Sequence, residues 1–221
     1  MDPAEMTVYC YLHGFASSPR SAKAKYFRDR FRSQDLTLHL PDLNQPDFSH
    51  LTLTRQIHHV ERWIATVAPE PVTLMGSSLG GLTAAWVAQT QPQVTQLILL
   101  APAFDFLSHW QQQLGAAALA HWQQTGWRSI FHYGENQELP LHYDFWVNCG
   151  QYCSPEALKS LDRPVPTYIA HGSRDATIPF TASQTFAQGR SWVSLDRRNS
   201  DHSLGNQVSY LWQRIQTLCR L

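Results

Sequence analysis

The segment Val72-Thr73-Leu74-Met75-Gly76-Ser77-Ser78-Leu79-Gly80-Gly81-Leu82 decides how the rest of the chain is interpreted. Its first four residues predict a short buried β-strand, and an alanine-rich helix is expected from Leu82 to Gln91. Between them, Gly76-Ser77-Ser78-Leu79-Gly80 fits the pattern G-x-S-x-G, in which a serine occupies a sharp turn from strand to helix. Glycine is needed on both sides because a side chain there would collide with the neighbouring strand and helix. The segment therefore predicts a nucleophilic serine at Ser78.

The same five residues also fit an ordinary strand–turn–helix in which glycine only permits the turn. Ser77 is a weaker candidate than Ser78, because only Ser78 has glycine two residues before and two residues after it. No Lys-Ser or Lys-Thr pair follows the glycines, and they do not form G-x-G-x-x-G, so no nucleotide cofactor is predicted. Residues elsewhere in the chain must discriminate between the catalytic and the purely structural interpretation.

Length and composition predict one soluble α/β domain over residues 1–221. Apolar residues make up 43% of the 221 and charged residues 15%, which is typical of a globular protein with a sizeable core. The chain carries 17 basic and 17 acidic residues and no basic run. This balance predicts that neither nucleic acid nor an anionic membrane is a partner.

The sequence also predicts a cytoplasmic location. Residues 1–6 lack the basic and apolar regions of a signal peptide, and no run of about 18 apolar residues is present. The four cysteines are scattered, which favours reduced thiols over a disulfide framework. Cys149 and Cys153, with His142 nearby, lack the paired C-x-x-C pattern of a zinc site, so no metal is predicted.

Strand and helix patterns alternate along the chain. Strands are predicted over residues 7–12, 36–40, 72–75, 94–100, 166–170 and 192–195, and helices over 21–31, 51–67, 82–91, 180–188 and from about 206 to 219. This alternation favours a parallel sheet with helices on both faces. The active site of such a sheet lies at the carboxyl ends of its strands.

Residues from about 104 to 161 interrupt this rhythm. The segment holds four of the eight tryptophans and is rich in glutamine and histidine. The pattern predicts one helix over 104–124, extended pieces over 127–133 and 139–145, and a short helix over 155–161. We expect an insertion, a cap or lid, that covers the strand ends and lines the pocket.

A nucleophilic serine needs a base that takes its proton and a carboxylate that orients the base. Asp175 follows the strand predicted at 166–170, and His202 lies in a loop rich in Gly, Ser and Asp after the last strand. Asp105, after the strand at 94–100, is an alternative carboxylate. Asp201 is expected to be a turn residue, because adjacent side chains diverge. The three residues are expected in the order serine, aspartate, histidine, each at a strand end. Both Asp105 and Asp175 satisfy this order.

Three blocks of sequence resemble the α/β-hydrolase superfamily: residues 13–15 (His-Gly-Phe), residues 76–81, and residues 171–179 with His-Gly-Ser-Arg-Asp at their start. More narrowly, residues 11–24 and 201–204 resemble the small YqiA-like esterases of bacteria. The resemblance implies an α/β-hydrolase fold with a mostly parallel sheet and helices on both faces, and it is weakest over the expected cap insertion at about 104–161. It also favours Asp175 over Asp105, because Asp175 lies in a matching block.

Transferred to this sequence, the resemblance implies that Ser78 is the nucleophile, His202 the general base and acid, and Asp175 the orienting carboxylate. The backbone N–H groups of Phe15 and Leu79 are expected to form the oxyanion hole. The implied reaction is acyl transfer: an acyl-enzyme forms on the serine, and water releases the acid. The implied substrates are small acyl esters or thioesters, with no cofactor.

Two other functions fit the same residues. An amidase, peptidase or carbon–carbon bond hydrolase would use the same three side chains on another bond. A hydrolase fold retained as a binding protein is the non-enzymatic alternative, although every position of the triad is filled. His13 is expected to brace the loop of the oxyanion hole rather than to act as a base.

Overall fold

A computed structural model describes residues 7–221, so the predicted absence of a signal peptide at residues 1–6 lies outside the described residues. The strands are β1 (Val8–Leu12), β2 (Leu38–His39), β3 (Val72–Ser77), β4 (Val94–Leu100), β5 (Trp127–His132), β6 (Gln137–His142), β7 (Thr167–Gly172) and β8 (Val193–Arg198). The α-helices are α1 (Ala22–Arg32), α2 (Leu53–Val67), α3 (Leu79–Thr90), α4 (Phe106–Leu114), α5 (Ala116–Thr125), α6 (Asp144–Cys153), α7 (Pro155–Lys159), α8 (Phe180–Ala187) and α9 (Val208–Cys219). No helix within residues 7–221 is long and apolar enough to cross a membrane.

The main sheet is parallel and has the strand order β2-β1-β3-β4-β7-β8. Successive residues of β1 face opposite sides of it: Cys10 and Leu12 belong to one apolar cluster, and Tyr9 and Tyr11 to the other. Helices α2, α3 and α8 cover the first face, and α1 and α9 the second. The α/β fold with helices on both faces is therefore confirmed, and the carboxyl ends of β3, β7 and β8 lie at the same edge.

The turn after β3 is tighter than the sequence pattern indicated. Strand β3 continues to Ser77, and α3 begins at Leu79, three residues before the predicted start at Leu82. Gly80 lies inside α3. Position 80 requires glycine because α3 packs against the end of β1, where a Cβ on Gly80 would lie 2.2 Å from the carbonyl oxygen of Leu12. A Cβ on Gly76 would lie 2.4 Å from the Gly80 oxygen. The glycines therefore permit close packing of backbone on backbone.

The segment between β4 and β7 differs from the prediction in two places. The single helix expected over 104–124 is wrong, because Gly115, with φ +75°, separates α4 from α5. The extended pieces form an antiparallel hairpin, β5–β6, and the second ends at His142 rather than at 145. The next residues form α6, which was not predicted. Its buried residues Phe145, Cys149 and Cys153 recur every four positions, a helical spacing that the sequence already contained.

Gly80→Ala is expected to destabilise the fold by about 3 kcal/mol, because backbone atoms of β1 cannot move away from the new methyl group without breaking the sheet. Gly150→Ala is the matched control. Gly150 lies inside α6, and an added Cβ would meet only Leu107 Cδ1, at 3.9 Å. Alanine there should stabilise the helix by about 0.5–1 kcal/mol. Urea unfolding measures both variants, and equal midpoints would contradict the packing argument.

Candidate active site

The backbone of Ser78 is held in a strained conformation. Its φ of 52° and ψ of −120° lie where a residue with a side chain is rarely found. The Ser78 N–H donates to the Leu100 oxygen at 2.9 Å, and the Ser78 oxygen accepts from the N–H groups of Gly81 at 2.8 Å and Ala103 at 3.0 Å. These bonds join the turn to the end of β4 and to the first turn of α3. The surrounding sheet therefore fixes the direction of the serine side chain.

The structure brings Ser78, His202 and Asp175 into one hydrogen-bonded chain. His202 Nε2 lies 3.0 Å from Ser78 Oγ, and His202 Nδ1 lies 2.7 Å from Asp175 Oδ2. A carboxylate can only accept, so Nδ1–H donates to Asp175, and Nε2 is left to accept the serine proton. The three residues lie after β3, β8 and β7, as expected from the sequence.

The side chain of Asp175 is fully buried, and its carboxyl group favours the ionised form. Burial raises the pKa of this carboxyl, but hydrogen bonds from His171 and His202 and the charge of His202 outweigh it and hold the pKa well below its usual range. The backbone N–H groups of Thr177 and Ile178 also donate to Oδ1, at 2.9 and 2.8 Å. The carboxylate is thereby fixed in position as well as in charge.

His171 is a site residue to which the sequence analysis gave no role. It is buried at the end of β7, and its Nε2–H donates to the Ile178 oxygen at 2.9 Å and lies 3.2 Å from Asp175 Oδ2. Its Nδ1 is 2.7 Å from Ser183 Oγ and accepts the hydroxyl proton. His171 and His202 therefore both lie within reach of the same Asp175 oxygen, Oδ2. Its position in the block that contains Asp175 was the only signal in the sequence.

The two alternative aspartates have other partners. Asp105 is the residue before α4, in the left-handed region with φ 56°, and it accepts a hydrogen bond from the Ser108 hydroxyl. Asp201 accepts from the backbone N–H of Ser203 at 3.0 Å and from its hydroxyl at 2.7 Å. The carboxylate that hydrogen-bonds to His202 is that of Asp175.

The predicted oxyanion donors lie beside the serine. Leu79 is the first residue of α3, where a backbone N–H has no partner in the helix. Phe15 follows Gly14, and a Cβ on Gly14 would lie only 3.2 Å from Ser78 Cβ, so the loop passes directly over the serine. Among residues 7–221, the backbone N–H groups of Phe15 and Leu79 donate to no protein acceptor. Both remain available for a ligand.

His13 holds this loop in place. The side chain is buried, and its Nε2 accepts the Leu43 N–H at 3.0 Å. The ring proton is therefore on Nδ1, which donates to the Gly14 oxygen at 3.0 Å. Although Asp42 Oδ1 lies 3.4 Å from Nε2, that nitrogen carries no proton to share with it. The geometry matches the expected bracing role.

Ser78 and His202 open into a cavity of about 780 Å³. One wall is aromatic: the Phe15 ring packs on Phe106 and Trp110, with centroid distances of 6.2 and 5.6 Å. The hairpin β5–β6 contributes Ile130, Phe131 and Tyr133 to the lining. Such a cavity can hold a small ester with an apolar group beside the serine.

The fold is that of the α/β hydrolases, and solved structures share it. Alpha/beta hydrolase domain-containing protein 10 from mouse superimposes with a TM-score of 0.77 and 22% identity over 97% of this chain and 89% of that chain. A monoacylglycerol lipase of Paleococcus ferrophilus gives a TM-score of 0.78 with 14% identity over 98% and 95% of the two chains. At these identities the likeness shows the fold alone.

Residues 8–219 match the family described as "Uncharacterised protein family (UPF0227)", and the chain belongs to that family. The expected fold and the resemblance to YqiA-like proteins are thereby confirmed. A pimeloyl-[acyl-carrier protein] methyl ester esterase of Xylella fastidiosa (strain 9a5c) is 44% identical over 77 residues. That match spans 34% of this chain and only 30% of the relative's length.

His171→Ala is expected to destabilise the protein by about 2–3 kcal/mol, because it leaves the buried Ser183 hydroxyl without its acceptor and removes a donor from the buried Asp175 carboxylate. His121→Ala, at an exposed position of α5, is the control and should change stability by less than about 0.5 kcal/mol. Urea unfolding at neutral pH measures both. Similar stabilities for the two variants would show that His171 does not support Asp175.

Proposed function

We propose that the protein is a serine esterase that hydrolyses small acyl esters or thioesters through an acyl-enzyme on Ser78. The observation that carries the proposal is the hydrogen-bonded chain from Ser78 Oγ through His202 to the buried, ionised Asp175, with contacts of 3.0 and 2.7 Å. The reaction also requires hydrogen-bond donors for the negative charge of the oxyanion. The free backbone N–H groups of Phe15 and Leu79 can supply them.

The proposed reaction has two steps. In the first, Ser78 Oγ attacks the carbonyl carbon while His202 Nε2 takes its proton and passes it to the leaving alcohol or thiol. Asp175 stabilises the imidazolium that forms, and the N–H groups of Phe15 and Leu79 donate to the oxyanion. In the second step, His202 activates a water, which attacks the acyl-enzyme and releases the acid. Each oxyanion donor typically contributes about 3–4 kcal/mol to such a transition state.

The comparisons support hydrolysis of an ester bond. The Xylella fastidiosa relative is named an esterase, and proteins with the same fold include the Paleococcus ferrophilus lipase. We further propose that residues 104–161 act as a cap, since α4 and the hairpin β5–β6 supply lining residues of the cavity. The single-domain organisation, the cytoplasmic location and the absence of nucleic-acid partners remain predictions.

Amidase, peptidase or carbon–carbon hydrolase activity is the second candidate, because the same three side chains serve those bonds. Matched ester, thioester and amide substrates of one acyl group distinguish the candidates. A binding protein with a hydrolase fold is the third. That function predicts that a fluorophosphonate fails to label Ser78 in the folded protein.

Ser78→Ala is expected to abolish labelling by a fluorophosphonate and to lower kcat for a short-chain chromogenic ester by about 10⁴-fold or more, because the nucleophile is removed. Ser33→Ala, at an exposed position after α1, should keep both the fluorophosphonate labelling and the ester hydrolysis. Mass spectrometry of the labelled peptide locates the adduct. An adduct on Ser77, or equal rates for wild type and Ser78→Ala, would contradict the proposal.

The two candidate acids make a matched pair of variants. Asp175→Asn should lower kcat by about 10⁴-fold, because an amide neither orients the required imidazole tautomer nor stabilises imidazolium. Asp105→Asn alters only the hydrogen bond with Ser108 and should keep most of the activity. Steady-state kinetics with the same chromogenic ester measure both variants. A larger loss for Asp105→Asn would assign the acid to Asp105.

A further inference from the structure

The cavity around Ser78 has a polar side that carries a lysine. Lys23 of α1 lines the cavity together with Ser21, Ser77 and Ser78. Its Nζ donates to Ser77 Oγ at 2.9 Å, and Ser77 directly precedes the proposed nucleophile. An ammonium group has three N–H donors, and this hydrogen bond uses one of them. The esterase mechanism proposed above gives Lys23 no role.

The nearby carboxylates do not neutralise Lys23 by direct contact. Asp201 is hydrogen-bonded to Ser203, and Asp175 to His202 and His171. Within the part of the chain that the structure describes, no carboxylate oxygen forms an ion pair with Lys23. Burial lowers the pKa of Lys23 to about 8, while the charges of Asp201 and Asp175 act in the opposite direction. The amine is therefore mostly protonated at neutral pH and has donors to spare.

An aromatic wall of Phe15, Phe106 and Trp110 lines the same cavity. The serine thus shares one cavity with an apolar surface and a cation. A neutral hydrocarbon ester would contact the apolar surface and leave the partly desolvated Lys23 ammonium without a direct ion-pair partner, which is unfavourable. An ester with an apolar part and an anionic part would satisfy both.

We propose that Lys23 is a specificity-determining residue that binds a carboxylate of the substrate, so that the preferred substrates are esters with a carboxylate near the scissile carbonyl. The proposal rests on the esterase function and names its substrate class. Arg128 and Arg174 also line the cavity, but so do the carboxyl-bearing residues Glu138 and Asp201. A substrate carboxylate is chosen over a phosphate dianion because these two acidic residues would repel a second negative charge. The carboxylate can lie on the acyl side or on the alcohol side of the ester.

Matched substrates test the proposal by turnover. Monomethyl succinate and monomethyl glutarate are paired with methyl butanoate and methyl pentanoate for the acyl side. Acetylated 3-hydroxypropanoate is paired with propyl acetate for the alcohol side. In at least one pair, wild type should favour the anionic ester in kcat/KM by about tenfold or more, chiefly through KM. Lys23→Met should remove that preference, and Lys23→Arg should retain part of it.

Lys25→Met is the matched control, because it removes the same charge from an exposed position of α1 and should keep the wild-type ratio. The ratio of kcat/KM for the anionic ester to kcat/KM for the neutral ester cancels any effect of Lys23→Met that is common to both esters. If Lys23 acted only by positioning Ser77, both esters would slow together and the ratio would not change. That result, or a wild-type ratio within about twofold of one for every pair, would overturn the proposal.

A binding measurement separates this proposal from the esterase function. Dissociation constants of the same ester pairs are measured by calorimetry on Ser78→Ala, with and without Lys23→Met. Tighter binding of the anionic ester that depends on Lys23 supports the proposal even if wild type hydrolyses neither ester, in which case only the esterase function fails. Equal binding of both esters to Ser78→Ala overturns the proposal even if wild type is an active esterase.

Discussion

The close packing of backbone on backbone at the turn after β3 is the constraint on which the site depends. Gly80 lies against the end of β1 and Gly76 against Gly80, at distances that admit no Cβ. This contact lets α3 begin one residue after Ser78 and forces Ser78 into its strained conformation. The same contact places the loop that follows β1 directly over the serine. One packing constraint thus positions the proposed nucleophile and both proposed oxyanion donors.

Asp175 and His202 come from the part of the sheet formed by β7 and β8. Strand β7 pairs with β4 and β8 pairs with β7, and the loops after them deliver Asp175 and His202 to Ser78. Asp175 is kept ionised in a fully buried position because two histidines and two backbone N–H groups donate to it. A buried charge without these partners would be too costly to maintain. The supporting bonds are therefore as necessary to the arrangement as the three side chains themselves.

The cavity combines an apolar wall with a cation, and much of the wall comes from the segment between β4 and β7. Its aromatic residues and Phe15 form the apolar wall, while α1 contributes the cation. The α/β-hydrolase fold alone would not have specified either surface, because both depend on individual side chains of the loop after β1, of α1 and of the segment between β4 and β7. Substrate preference is therefore a question about these few side chains rather than about the fold.

The sequence by itself determined the strand and helix alternation, the position of Ser78 and the order of Asp175 and His202, because those depend on local periodicity and on residues at strand ends. It missed the break at Gly115 and helix α6, where apolar spacing competed with a neighbouring extended pattern. It could not choose between Asp105 and Asp175 without a family resemblance, and it gave no role to His171 or Lys23. Those choices depend on contacts between residues up to 124 positions apart, and only the folded sheet brings such residues together.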